Sequence, residues 1–342
     1  MRRRRAILRD ELVTLAHGAG GKATRDLVEA LFLEELGNDA LATLGDAAVV
    51  PGGGRIALST DSYVVRPLEF PGGNIGELAV NGTVNDLAMV GAEPQWLTAG
   101  FVIEEGFPIV DLRRIIASMG AAARAAGVAI VAGDTKVVER GKADGLFITT
   151  AGVGLVADDV DLGAHRVQPG DRVLLSGTLA DHGMAVMVAR GDWQLEAEIE
   201  SDTAAVHELA ASLVSFGDGL RWMRDPTRGG LATALNELAE ASGLAVVLDE
   251  TALPVRPAVN AACEILGIDP LYVANEGKLV AIVAAEIADE ALSLLRDSEL
   301  GLEAALVGEV RAEPEGLVLL DTALGGTRIV DMLVGDPLPR IC

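Results

Sequence analysis

Short β-branched runs alternate with long helical patterns from one end of this chain to the other, and that alternation sets the fold class before any motif is read. In the first half "RIALSTD", "VAIVAGD" and "LFITTAGVGLVA" read as strands, while "ATRDLVEALFLEEL", "IGELAVNGTVNDLAMVG" and "DLRRIIASMGAAARAAG" carry helical spacing. A polar stretch with Gly and Pro, "VADDVDLGAHRVQPGDRVLLSG", leads into a fresh strand. The alternation then resumes through "DPTRGGLATALNELAEASG", "LAVVLDE", "KLVAIVAAE" and "IADEALSLLRDSE". Such a chain builds α/β or α+β layers. At 342 residues, half of them apolar, its length favours two domains. We expect a first domain over 1–157, a second over 158–330, and a tail, 331–342, with neither helix nor strand of useful length anywhere in "GGTRIVDMLVGDPLPRIC".

Charge and cysteine usage narrow the function. A formal charge of −24 repels phosphate backbones and anionic membranes, and 3% aromatic residues supply little base stacking, so nucleic acid is not expected as a partner. No uncharged apolar run reaches the roughly 18 residues of a membrane helix, because "MGAAARAAGVAIVAG" is cut by Arg124. The basic start "MRRRRAILRD" meets further charge at Arg9, Asp10 and Glu11 before a signal peptide could form, and reads as a solvated tail. Two cysteines and four dispersed histidines give neither a disulfide framework nor zinc spacing, so a cytoplasmic location is expected. Cys263, among small apolar residues in "PAVNAACEILG", reads as a buried inert thiol. Cys342 is the last residue, where no core demands it.

Several segments break local rules. "AHGAGGKAT" resembles a phosphate loop, since Gly18, Gly20 and Gly21 let amides approach an anion and Lys22 adds charge. A Walker loop would need Gly at Ala16 and Ser or Thr at Ala23, so what remains is a glycine turn running into a helix start, with or without an anion. Glu77, Asn81 and Asn85 recur every four residues in an otherwise apolar helix, with Asp86 beside them. Such a stripe suits a hard cation or its waters, where a merely solvated face would carry Lys, Arg and Glu. Asp46, Asp61 and Asp134 end or follow strand-like runs, as carboxylates do when α/β folds gather a metal and phosphate site. In "RDPTRGGLATALNE", Asp225 and Thr227 precede a helix start whose two glycines permit close approach of a ligand, the alternative being an ordinary capped helix.

The segments "HGAGGK", "GDAAVV", "STDSYVV", "AVNGTVNDLAMVGAEP", "AGDTKVVERGKADGLFITTAGVG", "DPTRGGLA", "ANEGKLV" and the terminal "PRIC" resemble, in this order and over nearly the whole chain, the hydrogenase maturation carbamoyl dehydratases, the HypE family. That family lies in the superfamily of aminoimidazole ribonucleotide synthetase, selenophosphate synthetase and thiamine monophosphate kinase. The resemblance implies a two-domain synthetase-like fold of α/β (α+β) class, a homodimer built on the N-terminal sheets, and a flexible tail. It implies that HypF places a carbamoyl group on the Cys342 thiol, that ATP with Mg²⁺ drives its dehydration to a thiocyanate, and that cyanide passes to iron on the HypC–HypD complex. By the same resemblance Glu276 of "ANEGK" is the base and Lys136 of "GDTK" orients the carbamoyl oxygen. Asp46, Asp61, Asp86 and Asp225 are candidate Mg²⁺ ligands. Gly18, Gly20, Gly21, Lys22, Asn85, Asp134 and Thr227 are candidates for the nucleotide site. A sister ATP-dependent enzyme acting on a small metabolite, and a scaffold tethered through Cys342, are the rival readings; selenophosphate synthesis usually needs Cys or selenocysteine where this chain has "HGAGGK".

Overall fold

Asn74 starts the helix that organises the first half. Its side chain accepts from the Gly76 N–H at 2.8 Å while Glu77 Oε1 accepts from the Asn74 N–H at 3.2 Å, a reciprocal cap that satisfies two otherwise orphaned donors. The computed structural model describes residues 21–27, 29–30, 48–51, 54–191, 197–333, 335, 338 and 340–342. After a short helix, α1 (Lys22–Leu27), come β1 (Ala48–Pro51), β2 (Arg55–Tyr63), the two-residue strands β3 (Glu69–Phe70) and β4 (Gly73–Asn74), the capped helix α2 (Ile75–Met89), β5 (Ala92–Glu104), α3 (Ile109–Ala125), β6 (Ala129–Val138) and β7 (Leu146–Val156). Five of the strands form one sheet in the order β1-β2-β7-β5-β6, antiparallel except for the parallel pair β5 and β6.

Helices α2 and α3 cover one face of that sheet. Period-two alternation sends Ala57 and Tyr63 of β2 and Leu146, Ile148 and Thr150 of β7 inward, and leaves Leu58, Trp96 and Leu155 on the open face. Strand β6, at the sheet edge, is exposed along nearly its whole length. Every residue of α2 is buried except Glu77 and Asp86. A helix buried on all sides has neighbours on all sides. Here the sheet is one of them and the second half of the chain the other.

That second half contributes β8 (Arg172–Leu175), α4 (Asp181–Arg190), α5 (His207–Val214), β9 (Leu220–Arg224), α6 (Gly230–Ser242), β10 (Ala245–Asp249), α7 (Pro257–Leu266), β11 (Val280–Val283), α8 (Ala288–Arg296), β12 (Ala305–Arg311), β13 (Val318–Asp321) and β14 (Thr327–Ile329). Its sheet runs β14-β13-β10-β12-β8-β11-β9, with only β10 and β13 parallel. Both faces are covered, so β11 is buried throughout. Val280 and Ile282 enter a core shared with α2, α4, α6 and α7, while Ala281 and Val283 pack with Leu209, Leu213 and Leu295 of α5 and α8. Ala88 and Met89 of α2 reach that second cluster as well, so apolar packing is continuous between the halves. Cys263 is buried in the shared core, and burial pushes its thiol up to about 11, as an inert thiol requires. No helix among the described residues is long and apolar enough to cross a membrane.

Candidate active site

The segment 275–278, just before β11, is fixed through its main chain. Asn275 is fully buried: its Oδ1 accepts from the Ala180 N–H at 2.8 Å, and its Nδ2 donates to the carbonyls of Pro226 at 2.9 Å and Val273 at 3.0 Å. It thereby ties the start of α4 and the "DPTRGG" turn to one point. Glu276 donates its N–H to Asp202 Oδ1 at 3.1 Å, and its carbonyl accepts from Asn85 Nδ2 at 3.3 Å and the Ala204 N–H at 3.4 Å. Gly277 lies so close to the Asp202 carbonyl that no Cβ fits. Lys278 Nζ stands 3.2 Å from Asp202 Oδ2, an ion pair without hydrogen-bond alignment.

The Glu276 side chain that this frame presents is buried, and its Oε1 has no hydrogen-bond partner. Burial raises its carboxyl well above the ordinary range, the charges of Asp225, Asp61 and Asp202 add to the rise, and Arg228 opposes it. A carboxyl in such surroundings is a strong base once ionised.

Strand β2 faces it. The Tyr63 hydroxyl donates to Asp61 Oδ2 at 3.0 Å, and the Ser59 hydroxyl donates to Asp86 Oδ2. Burial, then Asp61, Asp86 and Glu276, push the Tyr63 phenol well up, so it remains a donor. Burial also raises Asp61, against the pull of Arg228 and Tyr63. Arg228 holds its proton more tightly chiefly because of the negative charge at Cys342, and further through Asp61, Glu276 and Tyr63. Arg228 thus links Cys342 to Glu276, Asp61 and Tyr63, with Asp225 acting on Glu276 and Asp86 on Tyr63. Of the sequence candidates, Cys342, Glu276, Asp61, Asp86 and Asp225 come together in this way.

The tail, expected as a flexible arm, lies docked in this structure. The Val64 N–H donates to the Cys342 main-chain oxygen and the Arg66 N–H to the Arg340 carbonyl, each at 3.1 Å, and Leu338 and Ile341 are buried in the shared core.

Other candidates land elsewhere. Asn85, expected at the nucleotide, is buried beneath Glu276: it donates also to the Ala204 carbonyl at 3.0 Å and accepts from the Val206 N–H at 2.8 Å. Glu77 serves the cap of α2 and Asn81 donates to Thr203 Oγ1 at 3.3 Å, so the polar stripe divides between a helix cap and, through Asn81 and Asn85, a joint to residues 203–206. Thr227 lies between Asp225 and Arg228 of the cluster, and its main chain shapes the turn: its N–H donates to the Asp225 carbonyl at 3.0 Å and its carbonyl accepts from the Gly230 N–H at 2.8 Å. Gly230, at φ 62°, admits the backbone of residues 271–273, so its close approach is to protein. The Lys22 N–H, expected to face an anion, donates to the Leu333 carbonyl at 3.1 Å, and Gly21 packs on that same carbonyl. Gly18, Gly20 and Asp46 lie outside the described residues. Lys136 and Asp134 stand exposed on β6, paired with each other at 3.3 Å and outside the carboxylate cluster.

Sequence reading passed over Arg228, Lys278 and Tyr63, although each sits inside a quoted motif, and Asp202 and His182, which sit in none. Among the described residues no three His, Cys, Asp or Glu side chains are grouped to hold a metal ion by themselves. The hard carboxylate oxygens of Asp61, Asp86 and Asp225 nevertheless suit Mg²⁺ when phosphate oxygens and water complete its shell.

Residues 44–156 match the family described as AIR synthase related protein, N-terminal domain, and residues 168–320 match its C-terminal domain. The carbamoyl dehydratase HypE of Bradyrhizobium diazoefficiens is 57% identical over 341 residues, covering 99% of each chain. A crystal structure of a HypE–HypF complex aligns with TM-score 0.86 at 47% identity, over 90% of this chain and 99% of that one. A HypE crystal structure in complex with ATP aligns with TM-score 0.81 at 47% identity, over 97% and 100%. By sequence and by fold, this chain belongs to the HypE carbamoyl dehydratases within the AIR synthase related family.

Proposed function

We propose that this chain dehydrates a carboxamide carried on the Cys342 sulfur to a thiocyanate at the expense of ATP, in hydrogenase maturation in the cytoplasm. The observation that carries the reading is the buried carboxyl of Glu276, whose Oε1 has no hydrogen-bond partner, together with the docking of the tail that brings Cys342 to Arg228. The balance is R–S–C(=O)NH₂ + ATP → R–S–C≡N + ADP + phosphate. The amide nitrogen gives up two protons and the carbon–oxygen bond breaks. ATP with Mg²⁺, when bound, supplies the phosphoryl group that turns the carboxamide oxygen into a leaving group. Asp61, Asp86 and Asp225 are the carboxylates that would hold the cation. Glu276, ionised, takes protons from the nitrogen, and its raised proton affinity suits that task. Arg228 offsets the negative charge that gathers as oxygen departs.

The HypE–HypF complex supports a HypF-type carbamoyltransferase as the donor of the carbamoyl group, and a HypC–HypD-type iron carrier is the proposed acceptor of cyanide. A homodimer would cover the open face of the first sheet and the edge strand β6, where Trp96, Leu155, Val131 and Val137 are 47%, 46%, 60% and 67% exposed. Lys136, on that strand, would then orient the carbamoyl oxygen from the interface. The test is intact mass of the full chain incubated with such a carbamoyltransferase, carbamoyl phosphate and Mg²⁺-ATP. A gain of one carbamoyl group on Cys342, followed by loss of one water that requires ATP, is expected. A carbamoylated chain that never loses water with ATP present overturns the reading.

A further inference from the structure

His182 takes no part in the chemistry above, yet it is fully buried in the first turn of α4 and meets Phe70 edge-on, with ring centroids 5.4 Å apart. A buried imidazole needs a partner at each nitrogen. His182 Nε2 lies 2.5 Å from the Ile341 carbonyl oxygen and Nδ1 lies 2.8 Å from Ser201 Oγ. A carbonyl only accepts, so Nε2 carries the hydrogen. Burial disfavours a second one, so Nδ1 accepts from the Ser201 hydroxyl. Ser201 Oγ accepts in turn from the Thr203 N–H at 3.1 Å, which leaves its own hydrogen for the ring. Residues 201–203 thereby fix the tautomer that points a donor at the tail.

The need for that donor follows from the docking geometry. Residues 64 and 66 bind the main-chain oxygens of residues 342 and 340 in antiparallel register. Arg190 supports this register by donating Nη2 to the Arg340 carbonyl at 3.0 Å and Nε to the Arg66 carbonyl at 3.1 Å. Arg340 turns the chain at φ 60°, so the last residues do not form a regular strand. Between those two bonded positions Ile341, 5% exposed, turns its carbonyl to His182 Nε2 rather than to residues 64–66. His182 satisfies it.

We propose that His182 is a positioning residue that sets the register of the tail, holding residue 342 beside Arg228 by capturing the Ile341 carbonyl. The relevance of this register to chemistry rests on the function proposed above; the docking does not. Residue-resolved hydrogen exchange of the Val64 and Arg66 amides in the full-length chain, which the docked tail covers, reads the register directly. His182→Phe fills the space without a donor, and both amides should exchange about tenfold faster, since one lost hydrogen bond to a buried carbonyl amounts to about 1.4 kcal/mol. His182→Gln restores an N–H near Nε2 and should recover most of the protection, which a merely space-filling role would not. Where His182→Phe fails to fold, Ser201→Ala carries the test and should speed exchange in the same direction by a smaller factor. Unchanged exchange in a folded His182→Phe, or in Ser201→Ala where that variant must stand in, overturns the proposal. Exchange that responds as expected in a protein that never loses water from its carbamoylated form would leave the positioning role intact and remove the proposed function.

Discussion

Two lysine–aspartate pairs in this molecule have almost the same separation and opposite surroundings. Lys278 Nζ lies 3.2 Å from Asp202 Oδ2 with 9% and 2% of the side chains exposed, whereas Lys136 Nζ lies 3.3 Å from Asp134 Oδ2 with 71% of each exposed. The bare attraction is equal, so the solvent decides what each pair does. The buried pair locks residues 276–278 against residue 202 and so fixes the main chain of Glu276, while the pair on β6 is screened and holds nothing in place. The contrast divides the site: the second half presents a rigid base, and β6 offers a lysine still in water that only a bound ligand or a second copy could order.

The largest expected effect is on the rigid side. Glu276→Gln should lower the rate of water loss from the carbamoylated chain by roughly 10²- to 10⁴-fold, followed by intact mass. The same substitution has a signature in stability. Because burial raises Glu276 in the folded chain, the unfolded carboxyl ionises near 4.5 while the folded one still holds its proton. Ionisation therefore costs the native state progressively as pH rises from that value through the raised folded one. The melting temperature of Glu276→Gln relative to the parent should climb across that window. A flat difference would mean that the carboxyl is not held protonated.

Lys278→Met comes next. It strands the Asp202 charge in a buried setting and should cost about 3–5 kcal/mol of stability by denaturant unfolding, largely recovered in the Lys278→Met/Asp202→Asn double variant. If the single variant unfolds like the parent, the buried pair does not lock the loop and the contrast between the two lysines fails. Asn85→Ala, which leaves the Val206 N–H without its acceptor and removes one donor from the Glu276 carbonyl, should cost about 1–3 kcal/mol and increase hydrogen exchange at Val206.

These residues also show what could be read without a fold. Glu77, Asn81 and Asn85 are visible as a period-four stripe, but the partner of Asn81 and Asn85, residues 203–206, lies some 120 positions away in sequence, so the polar face reads as ligands rather than as a joint. "NEGK" and "DPTRGG" were legible as motifs, yet attention to carboxylates passed over Lys278 and Arg228, whose importance comes from the buried charges they face. The two glycines of "DPTRGG" suggested the close approach of a ligand, whereas Gly230 admits the backbone of residues 271–273. His182 and Asp202 carry no local signal: one matters through a carbonyl 159 residues away and the other through an amide 74 residues away. The strand and helix alternation, by contrast, depends on periodicity within each segment, and for that reason β2, β6, β7, α2 and α3 fall where the sequence placed them.

The smallest expected effect sharpens the contrast most. Lys136→Met removes the exposed pair on β6, and because both partners are mostly in water, the melting temperature of the chain should not move measurably at moderate ionic strength. If water loss from the carbamoylated chain nevertheless slows, the lysine acts on the reacting group and not on the fold, and the site is completed by an element that the protomer leaves open. If neither stability nor rate changes, Lys136 has no part in the site, and the cluster around Glu276 and Arg228 is sufficient alone. A clear fall in melting temperature would carry a third meaning: the pair is then not in water in solution, because another copy covers β6, and the fall should diminish on dilution as the copies separate.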